Sequence, residues 1–195
     1  MECEASLDPR PPVEGVLVLT PEQQALLPRL RGSNVNETTF LATDYLNHLN
    51  EAVMMIELVP SMPDMLEDAL AWRPKSYQQH FQGGELAIAD LAVEAYEIAP
   101  ERYRLPFDLT VKAINRRIAK TLETLEPLVD QGDSVKTGLA VLEACKAIQD
   151  LIGVASAIVN GSERVDDCSG SAPPPVSEEP DPTTMSQSDI DALFN

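Results

Sequence analysis

The sequence is poor in aromatic residues and glycine, and it has no long apolar run. Phe, Trp and Tyr make up 5% of its 195 residues and there are nine glycines, a composition that favours aliphatic helix packing over a β-sandwich. No stretch of about 18 apolar residues is present, so we expect no membrane-spanning helix. The first residues also lack the basic start and apolar core of a signal peptide. A cytoplasmic location is therefore expected.

Positive charge is also scarce. The chain has 32 acidic residues against 14 lysines and arginines, which gives a net charge of −18 and a pI near 4.3. Such a chain is repelled by nucleic-acid phosphates and by anionic membrane surfaces, so neither is expected as a partner. The acidity favours solubility in the simplest interpretation, and attraction to a basic protein surface stays open beside it.

Residues that commonly hold metals or form crosslinks are few and scattered. The three cysteines are Cys3, Cys145 and Cys168; an odd number so far apart predicts neither a disulfide framework nor a zinc site. We expect His48 to be a structural or surface residue, and His80 to pack or to be solvated. The sequence shows no motif for a cofactor or a metal ion.

Apolar residues recur at three- and four-residue steps over most of residues 20–160, which predicts a helical domain there. The turn residues Gln131-Gly132-Asp133 predict that the last two helices run antiparallel as a long hairpin, residues 107–160. The fold class expected is therefore all-α, a helical bundle. The expected helices cover about residues 20–30, 37–59, 61–72, 86–98, 107–128 and 134–160, with one further turn or two between 74 and 82.

The two ends of the chain differ from this domain in composition. Residues 1–19 form an acidic arm that contains proline, and residues 161–184 are polar, acidic and rich in proline. Segments of this kind bury too little apolar surface to offset the entropy lost on ordering. We therefore predict a disordered arm, a helical domain over residues 20–160, and a linker leading to a C-terminal segment, residues 185–195.

That C-terminal segment has every local feature of a short amphipathic helix. Ser186 can cap its start, and Asp189, three residues on, can reach back to the cap. A helix this short is not stable alone in water, so the pattern predicts a segment that folds in a groove of a partner. Three apolar residues at i, i+3 and i+4 would make the contact: Ile190, Leu193 and Phe194.

The residues SQSDIDALF in this segment resemble a known recognition peptide. A similar peptide occurs at the N-terminus of the flagellar switch protein FliM and at the C-terminus of some CheZ-type phosphatases, and both bind the chemotaxis regulator CheY. The terminal position here is that of the phosphatases. The resemblance implies that the partner is a CheY-like receiver domain. It also implies the contact residues, which are Ser186, Gln187, Asp189, Ile190, Asp191, Leu193 and Phe194.

The predicted hairpin also resembles the CheZ family, whose second hairpin helix carries a Q-D-x-x-G-Q signature. In that family the Asp enters the active site of the receiver, and the final Gln orients the water that hydrolyses the aspartyl phosphate. Gln149, Asp150 and Gly153 match this signature, but Val154 replaces the final Gln. Because valine cannot position a water molecule, Asp150 is a candidate catalytic residue only in a divergent phosphatase.

The leading expectation is an accessory or adaptor protein of chemotaxis or flagellar motility, which binds a CheY-like receiver through its C-terminal helix; whether it is also an enzyme is left open by the sequence. One alternative is a divergent CheZ-like phosphatase that hydrolyses the aspartyl phosphate of the receiver. A second is a non-catalytic structural helical protein whose tail docks on its own domain. A homodimer through the hairpin 107–160 is a further expectation.

Overall fold

A computed structural model describes residues 19–82 and 87–161 of the chain, except for the side chains of residues 87 and 88. The predicted C-terminal helix, all of the predicted linker but residue 161, and all of the predicted arm but residue 19 lie outside the described residues. Within the described ranges the protein is helical and has no strand, so the all-α prediction is confirmed. The helices are α1 (Pro21–Leu30), α2 (Tyr45–Leu58), α3 (Met65–Ala71), α4 (Tyr77–Phe81), α5 (Ala87–Glu97), α6 (Glu101–Asp130) and α7 (Ser134–Val159).

Helix α1 begins where the sequence predicts, because its first turn is capped from both sides. The Thr20 hydroxyl accepts a hydrogen bond from the Gln23 backbone N–H at 3.2 Å, and the Gln23 side-chain oxygen accepts one from the Thr20 N–H at 2.8 Å. This capping box satisfies two donors that a helix start leaves unpaired. The Gln23 amide also donates to the Ile98 carbonyl oxygen at 2.7 Å, which ties α1 to the end of α5.

The predicted helix that begins after Asn36 is wrong at its start. The side-chain oxygen of Asn36 accepts hydrogen bonds from the backbone N–H groups of Thr38 and Thr39, at 2.8 and 3.0 Å. Such local bonds compete with a helix and favour a turn. Phe40 follows with a φ of 62° and is fully buried, a backbone conformation rare for a bulky residue. Helix α2 therefore begins only at Tyr45.

The two longest helices are joined by a short turn and pack against each other. Helix α6 begins earlier than predicted and continues through Pro127 to its end at Asp130. Helix α7 has nearly the predicted bounds. A glycine in the left-handed conformation lies just outside each end of it: Gly132 has a φ of 69° and Gly161 a φ of 85°. The α6 side of the interface is a buried row of Val111, Ile114, Ile118, Leu122 and Leu125. On α7 the corresponding row is Val141, Cys145, Ile148 and Ile152.

The shorter helices cover this pair on one side. Helix α2 packs against both α6 and α7, α3 packs against α2 and α6, and α4 packs between α2 and α5. Six aromatic side chains gather where α2, α4, α5 and α6 meet: Tyr45, Trp72, Tyr77, Phe81, Tyr96 and Phe107. Both histidines lie at the edge of this aromatic group. None of the helices in the described part of the chain has the length and apolar character needed to cross a membrane.

Candidate functional site

Asp150 lies on the solvent-exposed face of α7, together with Gln149 and Gly153. The space above Gly153 is open, since a Cβ added there would have no heavy atom within 4 Å. A partner protein can therefore approach the Asp150 carboxylate without displacing any described residue.

The neighbours of Asp150 do not supply an amide for orienting a water molecule. Val154 is half-buried and packs against the hydrophobic core. The Gln149 side-chain amide is already engaged, because it donates a hydrogen bond to Glu57 of α2 at 2.8 Å. Neither residue therefore offers a free side-chain amide beside the Asp150 carboxylate.

The residues predicted to contact a receiver domain all lie outside the described residues. They are Ser186, Gln187, Asp189, Ile190, Asp191, Leu193 and Phe194.

Helix α7 carries a second apolar row on its exposed face, which we call the α7 row: Val135, Leu139 and Leu142. These side chains are 71%, 64% and 70% exposed, and none of them was predicted to be a functional residue. The signal was present in the sequence. The first half of α7 has apolar residues on more positions than one core-facing stripe can use, and the surplus falls at steps of four and three residues.

Charged residues flank the α7 row on one side. The Lys136 ammonium lies 2.7 Å from the Asp133 carboxylate, and this hydrogen bond lowers the pKa of Asp133 and raises the pKa of Lys136. Glu143 lies seven residues after Lys136, which is about two helical turns along the same side of α7, and it is exposed. The row is therefore bordered by a positive charge near its start and a negative charge near its end.

Helix α6 carries a cluster of positive charge, which we call the α6 basic row: Lys112, Arg116, Arg117 and Lys120. All four side chains are exposed, and none makes an ion pair with another residue of the described ranges. Arg117 and Lys120 border a cavity of about 160 Å³ between α6 and α7, whose α7 wall consists of Ala140, Glu143, Ala144 and Ala147. In a chain of charge −18 this row stands out as a surface that attracts anions.

The two histidines of the chain converge, although they are 32 positions apart in sequence, and their ring centroids are 6.0 Å apart. His48 is buried and its ring stacks on Trp72 at 4.7 Å. Its Nε2 lies 3.1 Å from the Arg73 carbonyl oxygen and 3.2 Å from the Lys75 backbone nitrogen. His48 therefore holds the 73–75 segment in place, the structural role expected of it.

Burial sets the charge state of both rings. It lowers the pKa of His48, with a further contribution from the Lys75 ammonium, and it lowers the pKa of His80 together with the neighbouring His48. Both rings are therefore neutral at pH 7. Among the described residues no group of three His, Cys, Asp or Glu side chains is placed to hold a metal ion.

Of the three cysteines, Cys145 lies within the described residues. Its thiol is free and buried between α6 and α7. Burial raises the pKa of Cys145 to about 11, with Glu57 adding to the effect. The thiol is therefore protonated at neutral pH and acts as a small core residue.

The described part of the chain is thus an all-α domain that carries an exposed apolar row on α7 and an exposed basic row on α6. Comparisons with models of protein families, with characterised proteins and with solved structures give no match to this chain. What it does is therefore inferred from its own residues.

Proposed function

We propose that the chain is an adaptor of chemotaxis or flagellar signalling that binds a CheY-like receiver domain through residues 185–195. The observation that carries this proposal is the resemblance to the receiver-binding peptide, which is matched in register by seven residues: Ser186, Gln187, Asp189, Ile190, Asp191, Ala192 and Leu193. The pattern has a physical meaning beyond the match. Capping residues and an apolar face prepare the segment for a helix, and a groove on the partner supplies the burial that so short a helix needs.

The surroundings of Asp150 support binding over catalysis. Its carboxylate is exposed, but Val154 packs inward and the Gln149 amide is engaged with Glu57. Hydrolysis that depends on a positioned water needs a polar group held beside it. The face of α7 around Asp150 is therefore better suited to contact a partner than to hydrolyse its phosphate.

The α7 row supports the expected homodimer. Steps of four and then three residues are the period of a coiled coil. If two copies of α7 pair about a two-fold axis, Leu139 of one lies opposite Leu142 of the other. The same pairing brings Lys136 of each copy close to Glu143 of the other, so the charges at the border attract each other.

The strength of this dimer follows from the exposed area. Burying a leucine or valine side chain completely contributes about 1.5–3 kcal/mol. Six side chains that are each about two-thirds exposed therefore contribute about 6–12 kcal/mol, against an association cost of about 4–15 kcal/mol. We expect a weak, concentration-dependent dimer, which would present two tails and raise the apparent affinity for clustered receivers.

Sedimentation velocity over a range of concentrations tests the dimer. Lys136→Glu should weaken association, because it places two negative charges together, and the double variant Lys136→Glu with Glu143→Lys should restore it. A chain that stays monomeric at millimolar concentration, or a double variant no better than the single one, would contradict the pairing.

Binding of the full chain to a purified CheY-like receiver from the same organism, with and without beryllofluoride, tests the adaptor role. Ile190→Ala and Leu193→Ala should each weaken binding at least about tenfold, because each removes about 1.4 kcal/mol or more of apolar contact. Ser188→Ala is the matched control, since residue 188 is outside the expected contacts, and it should leave the affinity unchanged. Failure of the full chain to bind any such receiver would refute the adaptor role.

The phosphatase alternative is tested in the same system. We expect the phosphate of the receiver to decay at the same rate with and without the full chain. A faster decay that Asp150→Ala abolishes would instead support a divergent CheZ-like phosphatase.

A further inference from the structure

We propose that a cleft between the 74–78 segment and α6 binds a small organic anion that also carries a hydrogen-bond donor. The cleft, which we call the α6 cleft, has a volume of about 300 Å³. That volume is at the lower end of the range for small-molecule sites in proteins. Tyr45 and Phe107 form its apolar floor, and its polar lining includes Lys75, Asp108, Lys112 and Asn115.

The floor of the cleft is rigid because its aromatic rings pack on one another. The Tyr45 and Phe107 ring centroids are 5.8 Å apart, and Tyr77 stacks on Tyr96 at 4.3 Å. The Tyr45 hydroxyl donates to the Lys75 carbonyl oxygen at 2.8 Å. The cleft is therefore formed before any ligand enters, which lowers the entropic cost of binding.

The negative group in the cleft is already engaged. The Tyr96 hydroxyl donates a hydrogen bond of 2.7 Å to the Asp108 carboxylate. This bond comes from a neutral hydroxyl and leaves the negative charge of Asp108 in place. The two ammonium groups of Lys75 and Lys112 outnumber that charge, so the cleft keeps one net positive charge.

Three other polar groups have no such partner. The side-chain oxygen of Asn115 is buried and accepts no hydrogen bond from the described residues, an arrangement that costs free energy unless something donates to it. Lys75 and Lys112 line the same cleft from opposite elements. Neither ammonium makes an ion pair within the part of the chain that the structure describes.

These groups specify the chemistry of the ligand. Two ammonium groups favour a carboxylate or a phosphate, and a buried acceptor favours an N–H or O–H donor. The floor of Tyr45 and Phe107 favours an apolar body between the two polar ends. A volume of about 300 Å³ admits a small molecule and excludes a folded partner.

The natural tryptophan is a reporter for this cleft. Trp72 is the single tryptophan of the chain, and it precedes the segment that carries Lys75. Calorimetry and Trp72 fluorescence should both show saturable binding of 4-hydroxybenzoate to the full chain. Phenyl phosphate in a second arm distinguishes a preference for phosphate from one for carboxylate.

Variants separate the cleft from general attraction of anions. Lys112→Gln should raise the dissociation constant of 4-hydroxybenzoate at least tenfold. Arg116→Gln removes the same charge from the same helix at a position that does not line the cleft, and should change the constant less than twofold. Equal losses in the two variants would overturn the proposal, as would the absence of saturable binding of either probe at millimolar concentration.

The role of Asn115 has its own test. Benzoate lacks the donor of 4-hydroxybenzoate, so it should bind the unaltered chain more weakly. Asn115→Leu should abolish that preference while leaving benzoate binding in place. If Asn115→Leu does not fold, Lys75→Gln and Lys112→Gln together should abolish binding of both probes. A preference unchanged by Asn115→Leu, or binding that survives the double lysine change, would refute the assignment.

Discussion

The orientation of α6 and α7 is tested by the same substitution at a buried and at an exposed leucine. Leu125 lies in the α6–α7 interface and is 0% exposed, whereas Leu139 belongs to the α7 row and is 64% exposed. Both residues lie well inside their helices. Replacing each by alanine therefore changes helix propensity by the same small amount and isolates the effect of burial.

The expected costs differ several-fold. Leu125→Ala removes a fully buried side chain and leaves a cavity, which reduces the free energy of unfolding by about 2.7–5 kcal/mol. Leu139→Ala removes a side chain about one-third buried, and the corresponding loss is about 0.5–1 kcal/mol. For a domain of this size each kcal/mol lowers the Tm by about 2–8 °C.

Urea unfolding followed by far-UV circular dichroism, at a concentration where the chain is monomeric, measures both values. A third variant, Leu142→Ala, repeats the exposed case at 70% exposure. A loss at Leu139 equal to or larger than that at Leu125 would show that the α7 row is buried in the monomer. The dimer proposed from it would then also fail.

Two further predictions concern single residues. Burial gives His48 a lower pKa in the folded chain than its ordinary value of 6.5. As the pH falls, the unfolded state therefore takes up a proton before the folded state does. The stability that is present above pH 6.5 is lost as the pH falls from 6.5 through the lowered pKa of the folded state. His48→Gln should flatten the dependence of Tm on pH between about pH 8 and pH 5, and an unchanged slope would contradict this. Gly132 has a φ of 69°, so Gly132→Ala should destabilise by about 1–2 kcal/mol. Gly138→Ala, in α7 with open space around the added carbon, should stabilise by about 0.5–1 kcal/mol; thermal unfolding measures both, and a stabilising Gly132→Ala would refute the explanation.

The parts of the fold that follow from neighbouring residues could be predicted from the sequence. Thr20 with Gln23 starts α1, and Gly132 makes the turn between α6 and α7. These features depend on hydrogen bonds and backbone conformations within a few residues. Local chemistry is sufficient for them, because no distant element takes part.

The stretch from Asn36 to Tyr45 shows where such reasoning fails. Its apolar residues have the spacing of a helix, yet Asn36 bonds to two backbone N–H groups and Phe40 takes a left-handed conformation. Position 40 would be buried whether Phe40 stood in a helix or in a turn, so the periodicity of apolar residues does not distinguish a helix from a turn here. The Thr39 hydroxyl, which donates to the Val159 carbonyl oxygen at 2.7 Å, fixes the turn through a residue of α7.

The candidate sites divide in the same way. The C-terminal motif is local and is read directly from Ser186 to Leu193. The α7 row is different, because α7 has two apolar rows, and the positions of α2 and α6 decide which of them is covered. The sequence alone therefore predicts the pieces of the surface but not which of them faces solvent.

By itself the sequence determined that the described part of the chain is all-α and where most of its helices end, and it predicts from a resemblance that residues 185–195 are a docking peptide. Tertiary structure decided that Gln149 bonds to Glu57, that His48 and His80 meet, and that Lys75 and Lys112 line one cleft. The reason is the range of the interactions involved. Caps, turns and helix periods join residues a few positions apart, whereas each of these contacts joins residues on different elements that only the packed core brings together.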